Sequence, residues 1–262
     1  MFELNEFCTV SSLDQADELL HRDKKNVILG GLLWMRMGSR QYHTGIDLSG
    51  LCLDKIEDTG HHIEIGAMTR LRQIETSDLL SDNFGTVLRD AVAPIVGVQF
   101  RNLATIGGSV FSRFSFSDIT TALMVLNTQV HLHRGGVIPI EEFVENSPGR
   151  DILVKLSIPK QQIRTAYRSV RKTATDFPVL AAALSRSKDG WKIALGARPS
   201  RARLAQEAAK YLSHDPDDRQ IEFACTKVVE EMAFGSNQRG NKTYREQLAK
   251  TLVKRGIEAI CS

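Results

Sequence analysis

Val98-Gln99-Phe100-Arg101-Asn102-Leu103-Ala104-Thr105-Ile106-Gly107-Gly108-Ser109 is the stretch that decides how this chain is read. Its glycine pair lets a backbone come close to a ligand and turn N–H groups toward an anion. A second pair, Gly30-Gly31, follows the apolar segment Asn26-Val27-Ile28-Leu29. Taken alone, each pair reads first as a tight turn. Neither belongs to a G-x-G-x-x-G fingerprint, and no P-loop motif occurs anywhere in the chain.

Working outward, the elements alternate. Ser12 and Gln15 fit a capping box ahead of Leu13, Ala16, Leu19 and Leu20, which share a helical face. Residues 26–29 read as a strand, 32–37 as a helical turn and 46–48 as a strand. Residues 53–68 read as a hairpin turning at Asp58-Thr59-Gly60. One helix is predicted over 83–95, and another opens at Ser117 and Asp118. Strands at 129–133 and 137–140 flank Gly135-Gly136, and a strand at 151–158 stops at Pro159. The polar run Lys160-Gln161-Gln162 marks a boundary. Strands at 166–172, 181–185 and 191–195 follow, then helices at about 201–212, 219–233 and 242–260.

Composition bounds the function. The 262 residues are 42% hydrophobic and 25% charged, enough apolar side chain for one large core or two modest ones. A net charge of +3, with both signs interspersed, gives no argument for nucleic acid. Cys8, Cys52, Cys225 and Cys261 lie far apart, so neither a structural zinc nor a protein-held iron–sulfur cluster is expected. No metal site is assigned. His61 and His62 read as an exposed turn. His131 and His133 share one strand face with no third ligand. The N-terminus has no secretory pattern, and no apolar run approaches the roughly 20 residues of a membrane span. The expectation is a cytoplasmic protein with reduced thiols and neither membrane nor nucleic acid as partner.

Residues 98–109 resemble the "IRN-x-ATIGG-N" signature of the flavoprotein subunits of the molybdenum hydroxylase family, which includes xanthine dehydrogenase and carbon monoxide dehydrogenase. The resemblance runs along nearly the whole chain. Ile28-Leu29-Gly30-Gly31 resembles the family's "AGGTDL" loop, and Ile65-Gly66-Ala67-Met68-Thr69 its "IGAxTT" strand. Asp118 falls at the Asp of "SPxxD", and 151–159 resembles its "EIL…IP" strand. Tyr167-Arg168 through Asp176 resembles "FxK…R…D". Gly196-Ala197 with Arg201 and Glu207 resembles the next segment, and Tyr244-Arg245 the C-terminal "YRRxLa".

The resemblance implies an α+β chain. A two-lobed FAD-binding domain of the vanillyl-alcohol-oxidase (PCMH) type, residues 1–160, would be followed by a C-terminal α+β domain, residues 161–262, of antiparallel sheet plus helical bundle. FAD would lie extended between the lobes, with both glycine loops offering amides to its pyrophosphate. By position, Val27, Ile28, Leu29, Gly30, Gly31, Leu32, Leu33 and Trp34 would line the cofactor, with Thr105, Ile106, Gly107, Gly108 and Ser109 opposite. Asp118 would hydrogen-bond its polar parts, Leu153 or Val154 would pack near the flavin ring, and Arg168 stands where relatives carry Lys. The chain departs from the pattern at Leu32 and Leu33, where the family has polar residues, and at Arg113-Phe114-Ser115-Phe116, where it has small residues and Pro.

The implied role is an oxidoreductase subunit. Electrons would come from a molybdenum–pterin large subunit through the 2Fe–2S clusters of a small subunit, and leave FAD for NAD+ or another acceptor. No catalytic side chain is assigned, because the chemistry belongs to the flavin. Leu32 and Leu33 leave open an alternative, a non-catalytic assembly subunit of the same fold with weakened or lost FAD binding.

Overall fold

The computed structural model describes residues 1–262. Its first unit is a three-stranded parallel sheet of β1 (Glu3–Thr9), β2 (Val27–Leu29) and β3 (Gln41–Asp47), in the order β1-β3-β2, with α1 (Leu13–Arg22) between β1 and β2. The Ser12 hydroxyl accepts from the Gln15 amide at 3.1 Å, and Gln15 Oε1 accepts from the Ser11 amide at 2.8 Å. β1 was not anticipated. Glu3, Asn5, Glu6, Phe7 and Thr9 are all exposed, so the strand lacks the alternation that marks a buried one.

The second unit is a five-stranded antiparallel sheet in the order β4-β5-β8-β6-β7. Its strands are β4 (Ile56–Asp58), β5 (His62–Gly66), β6 (Gln129–Leu132), β7 (Gly136–Pro139) and β8 (Leu153–Pro159). Ile65, Leu156 and Val130 sit side by side across three strands, and all are fully buried. Seven helices belong to this unit: α2 (Leu71–Glu75), α3 (Asp78–Phe84), α4 (Val87–Val92), α5 (Val98–Arg101), α6 (Ile106–Phe111), α7 (Asp118–Met124) and α8 (Ile140–Glu145). The single helix expected over 83–95 is in fact split. Gly85 adopts φ +64, and the Thr165 hydroxyl donates to the Phe84 carbonyl at 2.6 Å, occupying an acceptor that helix continuation would use.

Between Pro159 and Ile163 the chain crosses to a third sheet, antiparallel in the order β12-β11-β10-β9. Its strands are β9 (Ile163–Val170), β10 (Leu180–Ser187), β11 (Gly190–Gly196) and β12 (Arg203–Leu204), followed by α9 (Gln206–Ala209), α10 (Asp218–Glu231) and α11 (Lys242–Cys261). The helix expected over 201–212 survives only as α9. Arg203 and Leu204 pair with Leu195 and Ala194 instead, and the Ala205 amide extends that ladder to the Ile193 carbonyl at 2.7 Å.

β10 shows why the units are inseparable. Successive side chains of a strand face opposite ways. Ala181 and Ala183 join the core of the second unit, while Ala182 and Leu184 join the core built with α10 and α11. Small residues let helices close on both faces. A Cβ at Gly196 would lie 2.0 Å from Thr121 Oγ1, and one at Gly256 would lie 2.3 Å from Leu184 Cδ1.

Arg245 of α11 is fully buried without a carboxylate. Its Nε donates to the Val179 carbonyl at 2.9 Å and Nη1 to the Gly235 carbonyl at 2.9 Å and the Gly240 carbonyl. Nη2 donates to Asn237 Oδ1 at 2.7 Å. These bonds tie the segment before α11 to the sheet. Arg245→Met would strand several buried acceptors and is expected to lower unfolding free energy by about 3–5 kcal/mol, measured by urea denaturation.

Candidate functional site

A short backbone clamp builds the site. The Leu71 amide donates to the Ala104 carbonyl, Ile106 to Thr69 and Gly107 to Ala67, each at 2.8 Å. The turn after β5 is thereby fastened to the entry of α6. The fit leaves no room for side chains: a Cβ at Gly107 would lie 2.6 Å from the Ala67 carbonyl oxygen, and one at Gly31 would lie 2.0 Å from that of Leu103. Gly31 and Gly107 are therefore required by backbone-to-backbone packing. Gly30 and Gly108 face each other beside Thr105 Oγ1, which would lie 2.9 and 3.1 Å from their added Cβ atoms.

Arg101 braces this clamp from behind. It is buried, its Nε and Nη2 grip the Glu75 carboxylate at 2.7 and 3.1 Å, and Nη1 donates to the Ile95 carbonyl at 3.0 Å. Arg72 reaches the same carboxylate at 3.0 Å. Burial works against the Glu75 charge, but the two guanidiniums outweigh it and hold its carboxyl below the usual carboxylate range.

The amides of the two glycine loops are in different states. Those of Ile106 and Gly107 go to Thr69 and Ala67, and that of Gly108 goes to Thr105 Oγ1 at 3.2 Å. The entry of α6 is thus engaged within the protein, contrary to the expectation that both loops present free amides. In the first loop, the five successive amides of residues 30–34 donate to no protein acceptor. Leu32 holds this turn with φ +62, a left-handed conformation uncommon outside glycine. The first loop alone is the open cradle for an anion.

The cradle opens on a cleft of about 410 Å³, within the range of small-molecule and cofactor sites. Residues 27–34, Thr105, Gly107, Gly108, Ser109 and Leu153, all among the positions the resemblance pointed to, line it. Four expected residues do not. Ile106, the first residue of α6, is wholly buried, and Val154 is half-buried off the cleft, its carbonyl accepting from the Ala67 amide at 2.9 Å. Asp118 is buried at the start of α7, where it accepts from the Tyr167 hydroxyl and from Arg171 Nη2. Burial raises the Asp118 carboxyl, and the Arg171 guanidinium opposes that shift. Burial and the neighbouring carboxylate push the Tyr167 phenol well above its ordinary value, so Tyr167 remains a donor. Arg168 lies along β9, with Nη1 on the Tyr167 carbonyl at 2.9 Å. Asp118 thus serves the seam between the second and third units, while the Arg168 guanidinium bonds only to the carbonyl of the preceding residue.

Both ends of the cleft rest on residues that, Trp34 apart, sequence reasoning did not assign. At one end, Arg150 donates to the carbonyls of Leu20, Asp23, Lys24 and Asn26, capping the C-terminus of α1. Asp151 beside it accepts from the amides of Arg134, Gly135 and Ile152. At the other end, the Trp34 ring meets Phe114 at 5.0 Å, Phe116 at 5.6 Å and Phe177 at 5.8 Å, centroid to centroid. Arg239 lies over Phe177 at 4.9 Å. The signal for this cluster was the replacement of small residues by Phe114 and Phe116; Phe177 comes from the distant β9–β10 loop. No group of three His, Cys, Asp or Glu is placed to hold a metal ion.

Residues 2–161 match the family model of the FAD binding domain in molybdopterin dehydrogenase, and residues 165–260 that of the CO dehydrogenase flavoprotein C-terminal domain. The chain is 23% identical to the glyceraldehyde dehydrogenase medium chain of Sulfolobus acidocaldarius, across 97% of both proteins. It is 24% identical to the xanthine dehydrogenase FAD-binding subunit of Escherichia coli O157:H7, across 100% of this chain and 98% of that one. In fold it is similar to a chain of carbon monoxide dehydrogenase from Hydrogenophaga pseudoflava, with a TM-score of 0.88 at 21% identity, covering 97% of this chain and 96% of the other.

Two outcomes follow from the clamp. Gly31→Ala is expected to lower stability by about 1–3 kcal/mol, whereas Gly108→Ala, whose Cβ meets only Thr105 Oγ1 at 3.1 Å, should lose less; thermal unfolding compares them. Because the folded Glu75 value lies below the unfolded one, its contribution is present above the unfolded value and lost as pH falls through the folded value. Glu75→Gln should therefore destabilise at pH 7, and the gap to wild type should close as pH falls through the lowered folded value, read from urea midpoints across pH.

Proposed function

The chain belongs to the family of FAD-binding domains of molybdopterin dehydrogenases, and on that premise we propose that it is the FAD-binding electron-transfer subunit of a molybdenum hydroxylase assembly. The observation that carries this reading is the row of five amides at residues 30–34, without protein acceptors, at the edge of an apolar cleft. A diphosphate is the chemical partner such a row suits, and the apolar walls suit the rings it joins. The residues present therefore fit FAD.

When bound, FAD supplies the redox chemistry, accepting and releasing electrons singly or in pairs. The chain's own residues bind and orient. The first-loop amides would hold the diphosphate, Thr105, Gly108 and Ser109 would wall it opposite, and Leu153 would pack on an apolar face. Leu32 and Leu33 forgo side-chain hydrogen bonds worth about 0.5–1.5 kcal/mol each, but the amides beneath them are unaffected. Residues 1–160 would form the cofactor domain, with residues 161–262 closing over its second lobe.

The partners in this reading are a molybdenum–pterin large subunit and a small subunit carrying 2Fe–2S clusters, with NAD+ or another acceptor receiving the electrons. Support comes from relatives matched over nearly their whole length, whose names describe a medium chain and an FAD-binding subunit.

Titration of the purified full chain with FAD is expected to show saturable one-to-one binding, with flavin absorbance retained through gel filtration. A chain that retains no flavin overturns this reading in favour of the assembly subunit that Leu32 and Leu33 suggest.

A further inference from the structure

Arg113 is the anomaly among the arginines of this chain. Seven arginine side chains make no hydrogen bond or ion pair within the protein: Arg36, Arg40, Arg70, Arg203, Arg219, Arg255 and Arg113. The other six are exposed and solvated. Arg113 is partly buried, and its Nη1 is sealed from solvent with no partner. A buried guanidinium nitrogen without an acceptor is costly, and native structures place one where something else supplies the acceptor.

Its backbone carries a second anomaly. Arg113 has φ +47, a left-handed conformation unfavourable for a side chain of this kind. It follows Ser112 of the cleft wall and precedes the rings of Phe114 and Phe116. The same loop is pinned to the third sheet, because the Ser115 carbonyl accepts from the Ala197 amide at 2.8 Å. That contact brings up the segment bearing Arg201, whose Nη1 donates to the Glu145 carbonyl at 2.7 Å. Burial, and then the nearby charge of Arg201, lower the Arg113 ionisation from its ordinary value. Neither arginine has a carboxylate partner.

Two neighbouring guanidiniums with no anion between them make a repulsive pair, and an oxyanion converts the repulsion into attraction. Arginine forks suit phosphate oxygens. We propose that Arg113 and Arg201 form an oxyanion site at the seam between the cleft wall and the third sheet, filled by a phosphate of a nucleotide. The phosphate comes either from FAD or from a dinucleotide electron acceptor. The nucleotide part rests on the FAD reading above; the oxyanion site itself rests on the sealed, unpartnered Nη1 of Arg113 and on the Ser115–Ala197 contact that draws the two segments together.

Glycine at position 113 separates binding from folding, since glycine adopts φ +47 without strain. The full-length chain, Arg113→Gly and Arg113→Lys are compared with three probes: inorganic pyrophosphate by thermal shift, FAD by titration, and NADH by bleaching of bound flavin. Without ligand, Arg113→Gly should melt at or above the wild-type temperature. Pyrophosphate should raise the wild-type melting temperature, fail to raise that of Arg113→Gly, and partly regain its effect in Arg113→Lys. A tenfold or greater rise in the FAD dissociation constant assigns the phosphate to the cofactor. A similar rise confined to the NADH concentration dependence assigns it to the acceptor. A wild-type chain that retains no flavin defeats the FAD reading, while the pyrophosphate arm still reports on the site. The proposal is overturned if pyrophosphate acts alike on wild type and Arg113→Gly, or fails to act on wild type, or if Arg113→Gly is destabilised with all binding unchanged.

Discussion

Everything at the cleft depends on two close approaches of backbone to backbone, Gly107 against Ala67 and Gly31 against Leu103. Each brings a carbonyl oxygen into the place a Cβ would take. The first fastens the entry of α6 to the turn after β5, and the second lays the loop after β2 against the residue that leads into α6. With both made, the first and second units are held so that one row of amides faces the gap between them. The bidentate Arg101–Glu75 pair keeps α2 and α5 in place behind that contact. The motif arginine thus supports the site without lining it.

The third sheet is the other half of the design. Its central strand is buried on both faces, which demands residues that pack against the second unit on one side and against α10 and α11 on the other. β10 meets that demand with Ala181, Ala182 and Ala183, so backbone and helix approach closely. Thr165 reaches across the seam to end α3, and Tyr167 reaches across to Asp118. The seam carries polar bonds as well as apolar packing, and it also collects the ring cluster and Arg113. Family models divide the chain near residue 161, yet the largest core runs straight across that point.

Much of this was legible in the chain. Local patterns carried α1, the hairpin at Asp58-Thr59-Gly60, α7, α10 and α11, because caps, turn residues and apolar spacing act within a few positions. The first glycine loop and its neighbours were legible through the resemblance, and thirteen of the residues it pointed to do line the cleft. Asp118 lies off the cleft because its partners, Arg171 and the Tyr167 hydroxyl, are set by how β9 docks. β1 was missed for the opposite reason, since an exposed edge strand carries little apolar signal.

By itself the sequence determined which backbone positions could tolerate close approach and where many elements begin and end. Those are properties of residue type and short spacing. Only the tertiary structure decided which amides remain free. The peptides of Ile106 and Gly107 and those of residues 30–34 carry equally good donors, and the difference lies in which carbonyls the fold brings to them. The same holds for Arg113, whose lack of a partner is a fact about its surroundings and is written nowhere in its own stretch of chain.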